Sequence, residues 1–371
     1  MKKIVGGLLV IFFCIAPLPV SSAQSSVVKI VSSPHQNFTG AFRNDDLAQE
    51  LTPSGRLGQL VYVPNARSRI WVIDSSLIDE VVAMTGDYKI ASKAVPIGTV
   101  IAKNWLIQLK NVTLTNDVVS LAYGNPDVAL ARRLAPSELN AYYAFGKLKL
   151  EEFLGRPVRS SEGTGLNAGS SRITALQRSS YSDNRKALTR LSRVVTHTDV
   201  SDLRMKLARL LTPTLDKTSR EHFTADAVEA VDAQTHRLRV NPGKYQITTE
   251  SAKLPVTVIN QFPIDVTIDI SMMAKNSRIL VSGFTGVHLA PNSKTQLELA
   301  TQVIAPGETT VFAQITDSKA IPIVAFSILQ LNATVIDSRV TWFTTGAAIL
   351  LLLAAVAQSV RRVRRGRNSE I

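Results

Sequence analysis

Two carboxylates, Asp74 and Asp127, stand where chemistry could begin. Each follows a short apolar run, Ile70-Trp71-Val72-Ile73 and Val118-Val119-Ser120-Leu121-Ala122, and each precedes a stretch with helical spacing. Both therefore fall just past the carboxyl end of an expected strand, where α/β folds place their reactive groups. If the two strands are neighbours, the carboxylates can face each other, and a carboxylate pair provides acid and base or nucleophile in glycoside hydrolysis. The same residue at the same junction is also an ordinary N-cap, accepting from amides that the first helical turn leaves unpaired. Capping is the simpler expectation and is preferred here, so no catalytic residue is assigned.

Other chemistries lack their residues. His35, His197, His222, His236 and His288 fall singly, without the paired spacing and acidic partner that a zinc-dependent deacetylase needs. Ser182-Asp183-Asn184 has the letters of a penicillin-binding-protein motif and reads as a chance match without its nucleophile motif. There is no serine-nucleophile elbow and no phosphate-binding glycine loop. No metal or cofactor is expected.

The elements that must hold Asp74 and Asp127 read as α/β architecture. Ser75 to Met84 carries helical spacing through Leu77, Ile78, Val81 and Val82, and a second helix runs through Ile101, Trp105, Leu106 and Leu109. Tyr123-Gly124-Asn125-Pro126-Asp127 is a turn leading to a helix from about Val128 to Leu134. Strand, turn, helix, helix, strand, turn, helix implies at least two parallel strands within 24–158. Residues 159–171, rich in Ser and Gly, read as an exposed linker. Ile173 to Leu211 is helical and basic, with Leu188, Leu191, Val194 and Val195 on one face, and helix returns at Ala225 to Val231, giving a helical segment over 172–240.

From 245 to 336 the period changes to two. Ile264-Asp265-Val266-Thr267-Ile268-Asp269-Ile270 and Thr310-Val311-Phe312-Ala313-Gln314-Ile315 alternate apolar with polar, and turn signals recur at Asn260-Gln261-Phe262-Pro263, Pro291-Asn292-Ser293 and Pro306-Gly307-Glu308. About seven short strands at this spacing suit an immunoglobulin-like β-sandwich.

The two ends suggest export. Met1-Lys2-Lys3, an apolar run to Ala16 and Ser21-Ser22-Ala23 have the layout of a signal peptide, with cleavage after Ala23. The only cysteine, Cys14, lies within that leader, so the mature chain would have none. Val340 to Val360 holds 21 residues without a formal charge, covering about 31 Å as a helix, the thickness of a bilayer core. Arg361, Arg362, Arg364, Arg365 and Arg367 follow, in a basic tail over 361–371, and read as the cytoplasmic topology signal. Trp342 and Phe343 stand at the opposite end, where aromatic rings favour the headgroup layer. The expected location is the cell membrane, single-pass, with the amino-terminal region extracytoplasmic.

Net charge is +13, and the stretch from Lys147 to Arg220 holds 15 Lys or Arg against 7 Asp or Glu. Arg190, Arg193, Arg204 and Arg209 are candidate contacts to an anionic surface, either lipid headgroups or a cell-wall polymer; a solvated helical face is the plainer alternative. Nucleic acid is not an expected partner for an exported chain.

Several motifs taken together resemble a known family. Gly55-Arg56-Leu57, Trp71-Val72-Ile73-Asp74, Trp105-Leu106, Tyr123-Gly124-Asn125-Pro126-Asp127, Leu254-Pro255-Val256-Thr257-Val258-Ile259-Asn260, Ala305-Pro306-Gly307-Glu308-Thr309-Thr310-Val311 and the arginine-flanked terminal span look like an uncharacterised family of actinobacterial single-pass envelope proteins. The resemblance implies a neighbourhood of wall synthesis, since members are often encoded beside the lipid II flippase, and membrane wall-synthesis proteins as partners. It also implies a partial β/α-barrel: this chain is a short member, and its roughly 110 residues of α/β sequence are too few for the eight units of a full barrel. The expected function is a non-enzymatic structural or interaction role in the envelope. The alternative is a carbohydrate-active enzyme, glycoside-hydrolase- or deacetylase-like, acting on wall polysaccharide.

Overall fold

The computed structural model describes residues 26–63, 69–167, 169–334 and 338–367. The expected signal peptide lies outside them. A parallel sheet opens the fold, with strands β1 (Ser26–Ile30), β2 (Arg69–Ile73), β3 (Asp117–Ser120) and β4 (Arg159–Ser160) in that order. Helices α1 (Asp46–Leu51) and α2 (Arg56–Tyr62) join β1 to β2, α3 (Ser75–Met84) and α4 (Thr99–Thr113) join β2 to β3, and α5 (Val128–Leu134) and α6 (Pro136–Leu154) join β3 to β4. Strand order follows chain order without the reversal that defines a doubly wound sheet. It is the order of an arc cut from a β/α-barrel.

Alternation along the strands assigns the two faces. Ile30, Trp71, Ile73 and Val118 are buried against Leu47, Leu57, Leu77, Val81, Trp105 and Leu109 of the helices. Val72, Val119 and Leu121 point the other way, and they too are buried. Packed against them are Val31, Ile70 and Leu166, the last from the stretch expected to be an exposed linker. Residues 162–165, 169 and 170 are exposed, but the stretch is not a free linker. Arg159–Ser160 pairs with Val119 and Ser120 as β4, Ser161 is buried with its Oγ 2.6 Å from Asn167 Oδ1, and the Leu166 carbonyl accepts from Lys29 Nζ at 3.0 Å. An arc of four strands leaves an apolar inner face that a closed barrel would fill with its own side chains, and this segment fills it instead.

The middle of the chain is helical: α7 (Ala175–Leu191), α8 (Thr198–Lys206) running into a 3-10 turn (Leu207–Leu211), and α9 (Lys217–Thr235). Thr174 and Gln177 form a reciprocal capping box at the start of α7, and Asp216 caps α9. The break between α7 and α8 ends at His197, whose ring accepts from the Asp199 amide.

Nine strands then form a two-sheet sandwich. They are β5 (Leu238–Val240), β6 (Gly243–Ile247), β7 (Ser251–Asn260), β8 (Val266–Ala274), β9 (Ile279–Val281), β10 (Phe284–Leu289), β11 (Ser293–Val303), β12 (Gly307–Thr316) and β13 (Ser327–Ala333). One sheet has the order β10-β8-β12-β13-β6 and the other β5-β7-β11-β9. All pairings are antiparallel except β13 with β6. Val256 and Val258 of one sheet and Ile268, Ile270, Val311, Ala313, Ile315, Leu329 and Leu331 of the other share the interior. The same core continues through Leu238, Val231, Ala227 and Phe223 into the helical middle.

Helix α10 (Ser338–Arg367) closes the chain, with side chains described for 345–361. No helix among the described residues is long and apolar enough to cross a membrane. The expected span, Val340 to Val360, lies partly outside them, as do the side chains of Arg362, Arg364, Arg365 and Arg367.

Helix α6 approaches the end of β3 so closely that a Cβ on Gly146 would stand 2.5 Å from the Leu121 carbonyl oxygen and 2.9 Å from the Tyr123 amide. Gly146→Ala is therefore expected to destabilise the protein by about 2–3 kcal/mol in denaturant titration, since neither obstacle is a movable side chain. A neutral substitution would show that α6 does not sit on the strand in this way.

Candidate functional site at the carboxyl edge of the parallel sheet

Both candidate aspartates are found where strands hand over to helices, and both are buried. Asp74 caps α3. Its Oδ1 accepts from the amides of Ser76 at 2.9 Å and Gly124 at 3.0 Å, and its Oδ2 accepts from Ser76 Oγ at 2.8 Å. The Gly124 bond reaches from the β2 end to the turn after β3, so Asp74 fixes the two strand ends to each other. Gly124 itself has φ +75°, and a Cβ there would lie 2.9 Å from the Arg209 amide. Only glycine satisfies both conditions. Burial pushes the Asp74 carboxyl up to about 6 against the pull of its hydrogen bonds from Ser76 and Gly124.

Asp127 caps α5 through Leu130 N at 3.0 Å, and its other oxygen accepts from Ser171 N at 2.7 Å. The Asp127 amide donates to the Leu211 carbonyl at 2.9 Å, and Ser171 Oγ donates to the same carbonyl at 2.7 Å. Asp127 thus ties three segments together: the β3–α5 turn, the cover over the inner face, and the end of the 3-10 turn. All four carboxylate oxygens of the two aspartates accept hydrogen bonds from within the chain.

The strongest charges at this edge are ones the sequence reading did not single out, or assigned elsewhere. Glu80, on the apolar face of α3, is 2% exposed and lies 2.7 Å from Arg209 Nη2. Arg209, expected on an anionic surface, is itself 2% exposed, and this corrects its assignment. It also donates to the Gln36 carbonyl and lies over the rings of Phe38 and Phe223 at 5.5 and 5.9 Å. Glu80 accepts further from the amides of His35 at 3.0 Å and Gln36 at 3.3 Å. Burial alone would raise its carboxyl, but Arg209 and His35 outweigh burial and hold it below the usual carboxylate range. A carboxylate inside Leu77-Ile78-Asp79-Glu80-Val81, and an arginine inside Leu207-Ala208-Arg209-Leu210-Leu211, were the available signals.

The remaining basic candidates divide. Arg204 pairs with the buried Glu138 through Nε, at 3.1 and 3.0 Å, and through Nη2, with Arg185 3.5 Å from the same carboxylate. Arg193 bridges to Asp317 at 3.3 Å and so links the end of α7 to the sandwich. Arg190 is exposed and makes no ion pair among the described residues. A face of four free arginines is therefore reduced to one.

The expectation that the nucleophile motif is missing needs correcting, since Ser26-Val27-Val28-Lys29 is a Ser-x-x-Lys, but it forms β1. Extended backbone sends residues three apart to opposite faces, whereas the nucleophile motif needs a helical turn to bring them together. Ser182-Asp183-Asn184 lies within α7.

The fold is thus a parallel α/β arc, a helical bridge and an immunoglobulin-like sandwich, with a buried electrostatic joint where an enzyme of this architecture would keep its active site. Residues 148–370 match a family of unknown function, DUF6049, and the chain belongs to that family. The match starts within α6, so most of the α/β arc lies outside it. No curated protein matches. Solved structures similar to this chain include WR4, an MSP family member of C. elegans, at 13% identity over 26% of this chain and 98% of that one, with a TM-score of 0.20. Others are PapD-like domain 7 of human CEP192, at 14% identity over 27% and 86% with a TM-score of 0.22, and the CARDB domain of PF1109 from Pyrococcus furiosus, at 17% identity over 27% and 94% with a TM-score of 0.21.

Asp74 gives the site a pH signature. Its folded carboxyl sits above the ordinary 3.8, so between that value and about 6 the folded chain holds more protons than the unfolded one. Stability from this group is complete below the lower value and is lost as pH rises through the upper one, by about 3 kcal/mol. Asp74→Asn keeps the capping oxygen and cannot ionise, so the stability of the wild type relative to the variant should fall by about that amount between pH 4 and 7. A difference that does not change with pH would mean that Asp74 is not held in this buried environment.

Proposed function

We propose that this chain is a non-enzymatic envelope protein, tethered by α10, whose sandwich and helical bridge carry the α/β arc outside the membrane. The observation that carries the tether is the described part of α10. Ile349, Leu350, Leu351, Leu352 and Leu353 are all between 54% and 71% exposed, and Val356 and Val360 are 54% and 52% exposed. Five successive positions cover every side of a helix, so no single packed face can bury them. A hydrocarbon environment would. The helix of 30 residues is about 45 Å long, more than a bilayer core requires, and the sequence continues the uncharged stretch back to Val340 and ends it with Arg361.

The non-enzymatic reading is supported by the engagement of Asp74 and Asp127, whose oxygens already hold helix amides and neighbouring turns. A carbohydrate-active enzyme would need at least one carboxylate directed at its substrate. A place in cell-wall biogenesis, beside membrane wall-synthesis proteins, rests on the family resemblance of the motifs.

Two outcomes are expected. Protease added to intact cells stripped of their wall should digest the chain as far as about Arg339 and leave the basic tail; protection of Val256 to Ile315 would contradict this orientation. Asp74→Asn and Asp127→Asn, at wild-type expression, should each restore whatever growth or wall defect a deletion produces, because an amide caps a helix nearly as well as a carboxylate. Failure of both folded variants to complement, with a loss of about 100-fold or more in a wall-polysaccharide hydrolysis assay, would favour the enzyme.

A further inference from the structure

The outer face of the five-stranded sheet carries an arrangement that neither the tether nor the buried joint uses. Strands β12 and β13 lie inside the sheet, and their outward residues form rows across it. Phe312 pairs in register with Met273 of β8 on one side and Ile328 of β13 on the other. Phe326 sets its ring edge-on to Phe312, at 5.2 Å between centroids. Met273, Phe326 and Ile328 are 64%, 54% and 42% exposed, an apolar row in water on an otherwise polar face.

The next rows are polar. Thr310 pairs with Gln330, Gln330 with Lys244, and Asn332 with Gln246, the last two across the parallel β13–β6 contact. These side chains, with Lys275, line an open cleft of about 710 Å³, a ligand-sized volume. A second cavity of about 380 Å³ is bordered by Phe326 and Ile328. From Phe326 to Asn332 the row is about 20 Å long. Among the described residues, no side-chain hydrogen bond engages Lys244, Gln246, Gln330 or Asn332.

We propose that this face is a glycan-binding groove running along β13, with the apolar row against the C–H faces of sugar rings and the amide rows on their hydroxyls. A sugar hydroxyl both donates and accepts, and a side-chain amide, like the Thr310 hydroxyl beside it, can do both at once. Lys244 and Lys275 stand against a single carboxylate in the lining, Glu308, and the net positive charge favours a chain bearing acidic substituents. An extended peptide would satisfy its backbone on an open strand edge, and the open edge beside the cleft is β6, not β13, so a peptide would add along β6 rather than lie across the rows.

The groove stands apart from the tether, and its test is independent of orientation in the membrane. Purified full-length chain in mild detergent is applied to an array of neutral and acidic oligosaccharides, beside Gln330→Ala/Asn332→Ala and Lys244→Ala/Gln246→Ala variants. Lys244, Gln246 and Gln330 are exposed and Asn332 is half-buried, none belongs to the buried core, and circular dichroism and thermal melting confirm that the variants fold. The wild type is expected to retain at least one oligosaccharide class, and each double variant to bind it about ten-fold more weakly or worse, the loss expected for two hydrogen bonds. Retention of no oligosaccharide, equal binding by the folded variants, or capture of extended polar peptides alone would overturn the proposal.

Discussion

The Glu80–Arg209 pair is the contact on which the rest of this fold depends. Glu80 belongs to the α/β arc, Arg209 to the helical bridge, and the loop carrying His35, Gln36 and Phe38 is bound to both. Both ions are almost completely withdrawn from water. Such a pair adds little net stability compared with apolar residues of the same shape, yet either charge alone would be strongly destabilising. Each half of the joint therefore requires the other, and the arc, the bridge and the loop must assemble together. Asp74 and Asp127 extend the same joint with neutral donors: one holds the turn after β3, the other holds the cover segment and the end of the 3-10 turn.

An incomplete barrel arc poses two physical problems, an apolar inner face and unpaired polar groups at the strand ends. Leu166 and the segment around it answer the first, and the carboxyl-edge network answers the second. In a working enzyme of related architecture, those strand-end carboxylates would face a cleft. Here the bridge is packed over them, and the shared core that runs from Phe223 into the sandwich holds it there.

How far the sequence revealed this depended on whether the deciding interaction was local. The run Ile70 to Ile73, the cap at Asp74 and the helices Ser75–Met84 and Val128–Leu134 follow from β-branching, capping and helical period within a few residues. The long alternating strands of the sandwich were legible for the same reason, while β5 and β6, of three and five residues, were too short to show a period. Residues 159–167 and 169–171 have the composition of a linker, and what fixes them beyond a few local hydrogen bonds such as Ser161–Asn167 comes from distant partners, Asp127, Leu211 and the inner face of the sheet. Arg209 was counted with a basic face because charge spacing does not report burial; its apolar neighbours Leu207, Ala208, Leu210 and Leu211 did. The two aspartates were placed correctly at strand ends, but whether a carboxylate caps or catalyses is decided by what faces it, here Gly124 and Ser171, from 44 to 50 residues away in sequence.

The central claim, that the carboxyl edge is an electrostatic joint between two halves of one folding unit, is tested most directly by a double-mutant cycle on Glu80 and Arg209, read as unfolding free energy by denaturant titration. Glu80→Met and Arg209→Met should each cost about 3–5 kcal/mol by stranding a buried charge, and the double variant should recover most of that loss. Additive losses, with the double variant the least stable of the three, would contradict the account.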